Sequence, residues 1–283
     1  MNAGRVVMHR CAVAGVQATT ADTTRSFARH SHDTFGVGVV WRGAQRSASG
    51  RGPVEARAGD VITVNPGEVH DGSPFDERGR AWRMLYFEPK LVHDVALELG
   101  AAVPSSVELE RPVLRDEGFA ACFERTFAAV ATVPAVVSAG GRFDTLACEE
   151  RLYALLAECV RRHTTVRLRA SAGAAIDGMS ASIRRAKARI DDDPCEPVTL
   201  AGLAFDAGLS RFQLLRGFAR DTGLPPHAYL IQRRISLARR LIEQGMVLAD
   251  AAAGAGFADQ SHMTRAFVRA FGVTPAQYAG AVR

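Results

Sequence analysis

The stretch Ala252-Ala253-Gly254-Ala255-Gly256-Phe257-Ala258-Asp259-Gln260-Ser261-His262-Met263-Thr264-Arg265-Ala266-Phe267 decides the fold of the C-terminal third of this chain. An earlier stretch repeats its plan: Ala204-Phe205-Asp206-Ala207-Gly208-Leu209-Ser210-Arg211-Phe212-Gln213-Leu214-Leu215-Arg216-Gly217-Phe218. In each copy a Gly (Gly208, Gly256) follows an Ala by four residues, and a small polar residue (Ser210, Asp259) comes soon after. Six residues beyond that stands an Arg, and two further a Phe. Both copies close alike, on Gly223, Pro226 and Tyr229 and on Gly272, Pro275 and Tyr278. Two copies about fifty residues apart are too few for a solenoid and indicate a duplicated two-helix unit.

Ala204 and Ala252 leave room for a second helix to cross close above them. Gly208 and Gly256 permit a sharp turn at positive φ, and Ser210 and Asp259 are good N-caps for a new helix. Helix, short Gly turn and capped helix make a helix-turn-helix. In the first capped helix Leu214 and Phe218, four apart, are expected in the core, with Phe212, Leu215 and Arg216 on another face. In the second, Met263 and Phe267 take the core positions and Gln260, Ser261, Thr264 and Arg265 point outward. That outward set carries no carboxylate and suits base edges and phosphates. An ordinary helical hairpin would not need the matched caps, Arg, Phe, Gly, Pro and Tyr of both copies.

The second copy, from Gly256-Phe257 through Gln260-Ser261-His262 and Arg265-Ala266-Phe267 to Phe271-Gly272, Thr274-Pro275 and Tyr278, resembles the AraC-type (arabinose-operon regulator) family of transcription factors. The resemblance is strongest over residues 180–283. It implies two helix-turn-helix subdomains joined by a long helix, with both recognition helices entering successive major grooves. By this analogy Ser210, Arg211, Phe212, Leu215 and Arg216 of the first unit, and Gln260, Ser261, Thr264 and Arg265 of the second, are the DNA-binding residues. Leu215 departs from the family, where this position is often polar. A Leu reads little beyond a thymine methyl, so the first helix is expected to be the less selective.

Between the units, Leu230, Arg234, Leu237, Ala238 and Leu241 fall on one side of a helix, with Ile231, Ile235 and Ile242 widening the stripe. Gly245 ends it. The spacing predicts one helix of about 15 residues, or ~22 Å. As a rigid connector it would let the pair read two base clusters one turn (~34 Å) apart in one half-site. Arg233 and Arg240, if outward, would hold phosphates.

The 283 residues suffice for two domains, and 47% apolar composition is that of a chain with a proper core. Residues 180–283 hold 14 Lys+Arg against 9 Asp+Glu, whereas residues 1–179 hold 21 of each, so the whole +5 excess sits on the part read as DNA-facing. Five scattered cysteines without a CxxC pair point to a reducing compartment. There is no convincing signal peptide and no apolar run of membrane length, so the protein is expected in the cytoplasm, without a membrane partner.

The N-terminal part alternates from His30, placing His30, His32, Thr34, Gly36, Gly38, Val40 and Arg42 on one face of an expected strand. Further strands are expected near Val54–Arg57, at Val61–Val64 and at Trp82–Phe87, with a turn at Asn65-Pro66-Gly67-Glu68 and a polar loop over 71–79. Residues 1–28 are weakly patterned. Short strands with Gly and Pro turns argue for a small barrel or sandwich. Phe119, Phe123, Phe127 and Val130, and then Leu152, Leu155, Leu156 and Cys159, mark two helices. Residues 163–179, rich in small residues, are expected to be a linker between a domain at 1–162 and the DNA-binding domain at 180–283.

Gly59-Asp60…Asn65-Pro66-Gly67-Glu68-Val69-His70 resembles the second motif of cupin barrels, and His30-Ser31-His32 the first. The pair occurs in effector domains of AraC-type regulators. In metal cupins two His of the first motif, a Glu a few residues on, and the His of the second motif bind the metal; here the position four after His32 is Gly36, so the Glu is missing. The histidines admit three readings: hydrogen-bonded barrel residues, contacts to an organic effector, or a three-His metal site. The effector reading is adopted, and no metal or cofactor is assigned. The effector set is His30, His32, His70, Arg42, Trp82 and Met84, the last two and Arg42 by analogy with effector-contacting positions of the arabinose regulator. Lining the barrel, Arg42 would suit a carboxylate; it could equally be a surface Arg at a strand end. The helix pair is expected to dimerise the protein.

The fold class is thus α+β: a cupin-like barrel with dimerisation helices, then an all-α double helix-turn-helix domain. The expected function is effector-controlled, sequence-specific transcription regulation, with double-stranded DNA, a small molecule, a second copy and RNA polymerase as candidate partners. The rival is a cupin-type metal-dependent enzyme with an appended DNA-binding module, which the missing Glu disfavours.

Overall fold

The computed structural model of the chain describes residues 4–9, 11, 13–49, 51–101, 107–131, 145–168, 176–271 and 273–282. They form two compact units, one drawn from Met1–Val133 and Arg151–Ser171, the other from Pro134–Glu150 and Ala172–Arg283. No helix among the described residues is long and apolar enough to cross a membrane.

Among its described residues the first unit holds nine strands: β1 Arg5–His9, β2 Val16–Thr23, β3 Phe27–His30, β4 Phe35–Ser49, β5 Gly52–Arg57, β6 Val61–Val64, β7 His70–Pro74, β8 Arg80–Phe87 and β9 Val113–Leu114. The main path runs β1-β2-β8-β4-β6-β9, and β4 also pairs with β5 and β7. The weakly patterned N-terminus supplies β1 and β2 through pairing; β2 lies against β8 from Val16↔Phe87 to Thr23↔Arg80. The strand expected to run on from His30 is instead two strands, β3 and β4, broken at residues 31–34. The expected polar loop over 71–79 is strand as far as Pro74, because β3 and β4 complete its ladder. Gly67, at φ 74°, closes the turn after Pro66, and the Asn65 side chain anchors that turn to the backbone of Leu109.

Helix α1 (Pro89–Glu98) follows β8, started by the Pro that stops the strand. Helix α2 (Glu117–Val130) is capped by Asp116, whose side chain accepts from the Phe119 amide. It buries Phe119, Phe123, Phe127 and Val130 as their spacing predicts. Helix α3 spans Thr145–His163.

The second unit contains α4 (Ile176–Asp192), α5 (Leu200–Ala207), α6 (Arg211–Thr222), α7 (Pro226–Glu243), α8 (Leu248–Gly254), α9 (Gln260–Phe271) and α10 (Pro275–Val282). Helix α4 thus begins inside the segment expected to be a linker, of which 169–175 lies outside the described residues. Helix α5 ends on Gly208 at φ 65°, and Gly256 has φ 79° after α8. A Cβ on Gly256 would meet Cys195 Cα at 2.9 Å and Arg234 Nε at 3.1 Å, so the turn excludes any side chain. Helix α7 has 18 residues, longer than expected because Pro226 at its N-terminus prolongs it by a turn. It buries Leu230, Arg234, Ile235, Ala238 and Ile242. Within this unit the Glu149 and Glu150 carboxylates accept from the amides of Leu200 and His227, in the first turns of α5 and α7.

Candidate functional sites

Helices α6 and α9 begin at caps that make them near copies. Ser210 Oγ accepts from Gln213 N while Gln213 Oε1 accepts from Ser210 N, a reciprocal box. In the second copy Asp259 Oδ1 accepts from His262 N. Leu214 and Phe218 of α6, and Met263 and Phe267 of α9, are fully buried. That fixes which residues are left outside. On α9 these are Gln260, Ser261 and Arg265, exposed, and Thr264, whose hydroxyl donates to Gln260 O. Arg265 has no carboxylate partner among the described residues. On α6 Arg216 is exposed and stacks over the Phe212 ring at 5.4 Å, beside half-buried Leu215 and Arg211. Of the two connector arginines, Arg240 is exposed, but Arg233 is held by Asp191 of α4 at 2.8 Å. The condition set for a phosphate contact, an outward and unengaged side chain, is thus met by Arg240, whereas Arg233 shares the Asp191 carboxylate with Lys187.

The first unit encloses a cavity of about 220 Å³ to which each of the nine strands contributes a side chain. One sheet can do this only by curling round on itself. Residues Arg80, Trp82, Met84 and Tyr86 of β8 share the lining face, as alternation along a strand dictates. His30, His32 and His70 line it too. His30 and His70 are cross-strand partners in the β3–β7 ladder, and Gly67 N donates to His32 O, which brings the third ring alongside.

The chain matches the AraC-like ligand binding domain over residues 14–156, half of its length, and a helix-turn-helix domain over residues 203–281. The chain belongs to the AraC family of transcriptional regulators. It is 28% identical over 239 residues to the HTH-type transcriptional regulator YbfI of Bacillus subtilis, covering 84% of this chain and 82% of that one. The virulence regulon transcriptional activator VirF of Yersinia enterocolitica is 40% identical over 74 residues, 26% of this chain and 27% of that one. Among solved structures, the DNA-binding domain of AdpA in complex with a target DNA is 29% identical, with a TM-score of 0.35, over 36% of this chain and 93% of that one.

In this AraC-family chain Trp82 and Met84 stand with the three histidines around the cavity, but Arg42 does not. A β-bulge between Val40 and Arg42 shifts the register of β4 on β8, so beyond it Gln45, Ser47 and Ser49 take over the cavity face. Arg42 turns outward to Asp22 and the Arg78 carbonyl. The cavity's guanidinium is Arg80, 1% exposed. Its Nε, Nη1 and Nη2 donate to Gln45 Oε1, Arg25 O and Gly72 O, all neutral acceptors, and Trp82 and Phe27 lie against it at 4.9 and 5.7 Å. No described carboxylate pairs with it, and burial pushes its pKa down to about 10, so it remains charged at neutral pH. Three of its five donors are used. The carboxylates of Glu68 and Asp71, also in the lining, accept from the amides of Asn65 and Ala48. Arg80 was legible in principle, since alternation carried two residues upstream of Trp82 lands on it.

One ring nitrogen from each of His30, His32 and His70 lies within 4.8 Å of the others, so these residues could hold a metal ion. Burial first, then the neighbouring His70 and His30, lowers the pKa of His32 and favours the neutral, ligating form. No Glu joins them. A Cβ on Gly36 would meet Met84 Cε at 2.8 Å and Tyr86 Cε1 at 3.3 Å, so Met84 and Tyr86 occupy the space an acidic side chain would need.

Proposed function

We propose that this regulator reads DNA sequence chiefly through α9, by Gln260, Ser261, Thr264 and Arg265, with Ser210, Arg211, Phe212, Leu215 and Arg216 of α6 holding a second, less selective contact. The support is the exposed polar face of α9 on a scaffold held by the fully buried Met263 and Phe267. Selecting bound sequences from a random duplex pool tests it: the Arg265→Ala variant loses base preference at one position, whereas Leu215→Ala preserves the selected motif.

The cavity takes a small effector, and binding shifts the population able to engage DNA. The observation that carries this reading is Arg80, a buried cation without a carboxylate, between Trp82 and Phe27 in the wall of the cavity. An effector with an acidic group and a flat apolar body would complete its hydrogen bonding. Thermal-shift measurements with small carboxylic acids and their primary amides test this: the acids stabilise the full chain, the amides do not, and Arg80→Gln abolishes the difference. The protein acts in the cytoplasm as a homodimer assembled through α2 and α3, with sedimentation of the full chain as the test, and RNA polymerase is its candidate protein partner. A cupin-type enzyme is disfavoured by Gly36, which cannot supply the acidic ligand.

A further inference from the structure

Helix α7 starts without a cap of its own. Pro225 stands at its N-cap position, where no side chain accepts from the first turn, and Pro226 brings no amide. The His227 amide is satisfied from 77 residues upstream, by Glu150 Oε1 at 2.7 Å. Helix α5 is served from the same place. Its cap, Thr199, accepts from the Gly202 amide at 3.0 Å. The amides of Leu200 and Ala201 turn instead to Glu149, whose Oε2 lies 2.6 Å from Leu200 N. Arg211, the first residue of α6, adds its positive field to the same carboxylate. Two adjacent glutamates of α3 are thus seated on the first helix-turn-helix.

An anion held by helix amides and a guanidinium has the surroundings of a backbone phosphate on a DNA-binding protein. In a helix-turn-helix the first helix crosses the DNA backbone, and the second enters the groove by its N-terminal residues. The start of α5, and Arg211 at the start of α6, are those parts of the first copy. Burial pushes the Glu149 carboxyl up, while the two amides and Arg211 pull it down. The carboxylate is therefore held at a cost in hydration that release would return. We propose that Glu149, backed by Glu150, is an intramolecular phosphate mimic, so that its docking on α5 and the engagement of α6 with DNA exclude one another. The docked chain reads DNA through α9 alone, and release adds the contact made by α6. This inference rests on the reading of α6 as a DNA-contacting helix.

The test compares the full chain with Glu149→Gln on the selected duplex, by fluorescence anisotropy over a salt series. Gln keeps an acceptor for the amides but loses the charge. Glu158→Gln, on the same helix, is the control for net charge. Glu149→Gln is expected to bind several-fold tighter, because the competent fraction rises. Its log K should also fall more steeply with log salt, by about 0.9 for one further phosphate. Glu158→Gln leaves both unchanged. Equal tightening in the two variants overturns the proposal, as does unchanged or weaker binding by Glu149→Gln. Hydrogen exchange of the unaltered chain keeps the test open should the variant fail to fold: residues 146–150 are expected to exchange faster once duplex is added, and unchanged protection counts against the mimic. Arg216→Ala tests the reading beneath it. A loss of affinity on adding it to Glu149→Gln places α6 on DNA, so that an absent gain then sinks the mimic alone; no loss sinks the reading of α6 and the mimic with it.

Discussion

Helices α6 and α9 occupy equivalent places in two copies of one scaffold, yet they present different chemistry. On α9 the outward positions are Gln260, Ser261, Thr264 and Arg265, polar throughout. On α6 they include Phe212 and Leu215, and the exposed guanidinium of Arg216 rests on the Phe212 ring. Duplication preserved what folding requires, the Ala, Gly, cap and Phe positions. The outward positions that we propose to read DNA differ between the copies, apart from the matched Arg216 and Arg265.

The largest effect should be the same in both copies. Phe218 and Phe267 are fully buried, and each closes the core of its own unit. Truncation to Ala is expected to cost about 3–5 kcal/mol in either place. Urea unfolding of the two variants measures it, and a difference of several kcal/mol between them would break the equivalence of the scaffolds. The reading faces should then differ. Arg265→Ala is expected to weaken binding to the selected site by about 1–3 kcal/mol with little change on random DNA. Leu215→Ala should lose less, in a mobility-shift comparison of the same two DNAs. Equal losses for Arg265→Ala on both DNAs would assign Arg265 to phosphate.

The caps give a smaller contrast. Ser210→Ala removes one half of a reciprocal box and Asp259→Ala a single bond, and each should lower thermal stability by about 1 kcal/mol. The Ser210 loss should be the same at pH 4 and pH 7, since neither partner in its box titrates there. Asp116, the cap of α2, supplies the charged counterpart. Its carboxyl is held below the usual range by the Phe119 amide first, then by Arg162 and His163. A depressed folded pKa means that its stabilisation is present above the unfolded value, ~3.9, and is lost as pH falls through the folded one. Asp116→Asn keeps an acceptor for the amide, so acid unfolding of this variant against the parent is expected to isolate a charge contribution below about 1 kcal/mol.

The arrangement of the C-terminal third was legible in the sequence because each step is local. A positive φ asks for Gly208 and Gly256, an orphan amide asks for Ser210 or Asp259, and four-residue spacing puts Leu214 with Phe218 on one face. The helical half of the α+β class follows from that local grammar, repeated, and the same residues carry the resemblance to the AraC-type family. The cavity was legible only in part. Alternation from His30 failed because β3 and β4 are separate strands and because the bulge after Val40 shifts the register, sending Arg42 to Asp22. Strands β1 and β2 left little pattern, since the pairing of β1 with β2 and of β2 with β8, rather than composition, makes them strands. Arg80 lay one alternation step beyond the expected start of its strand. The meeting of His30 with His70 depends on the register between β3 and β7, forty residues apart in sequence. Local chemistry is written in neighbouring residues. Which distant side chains share a cavity is set by strand register, and register is a property of the folded sheet.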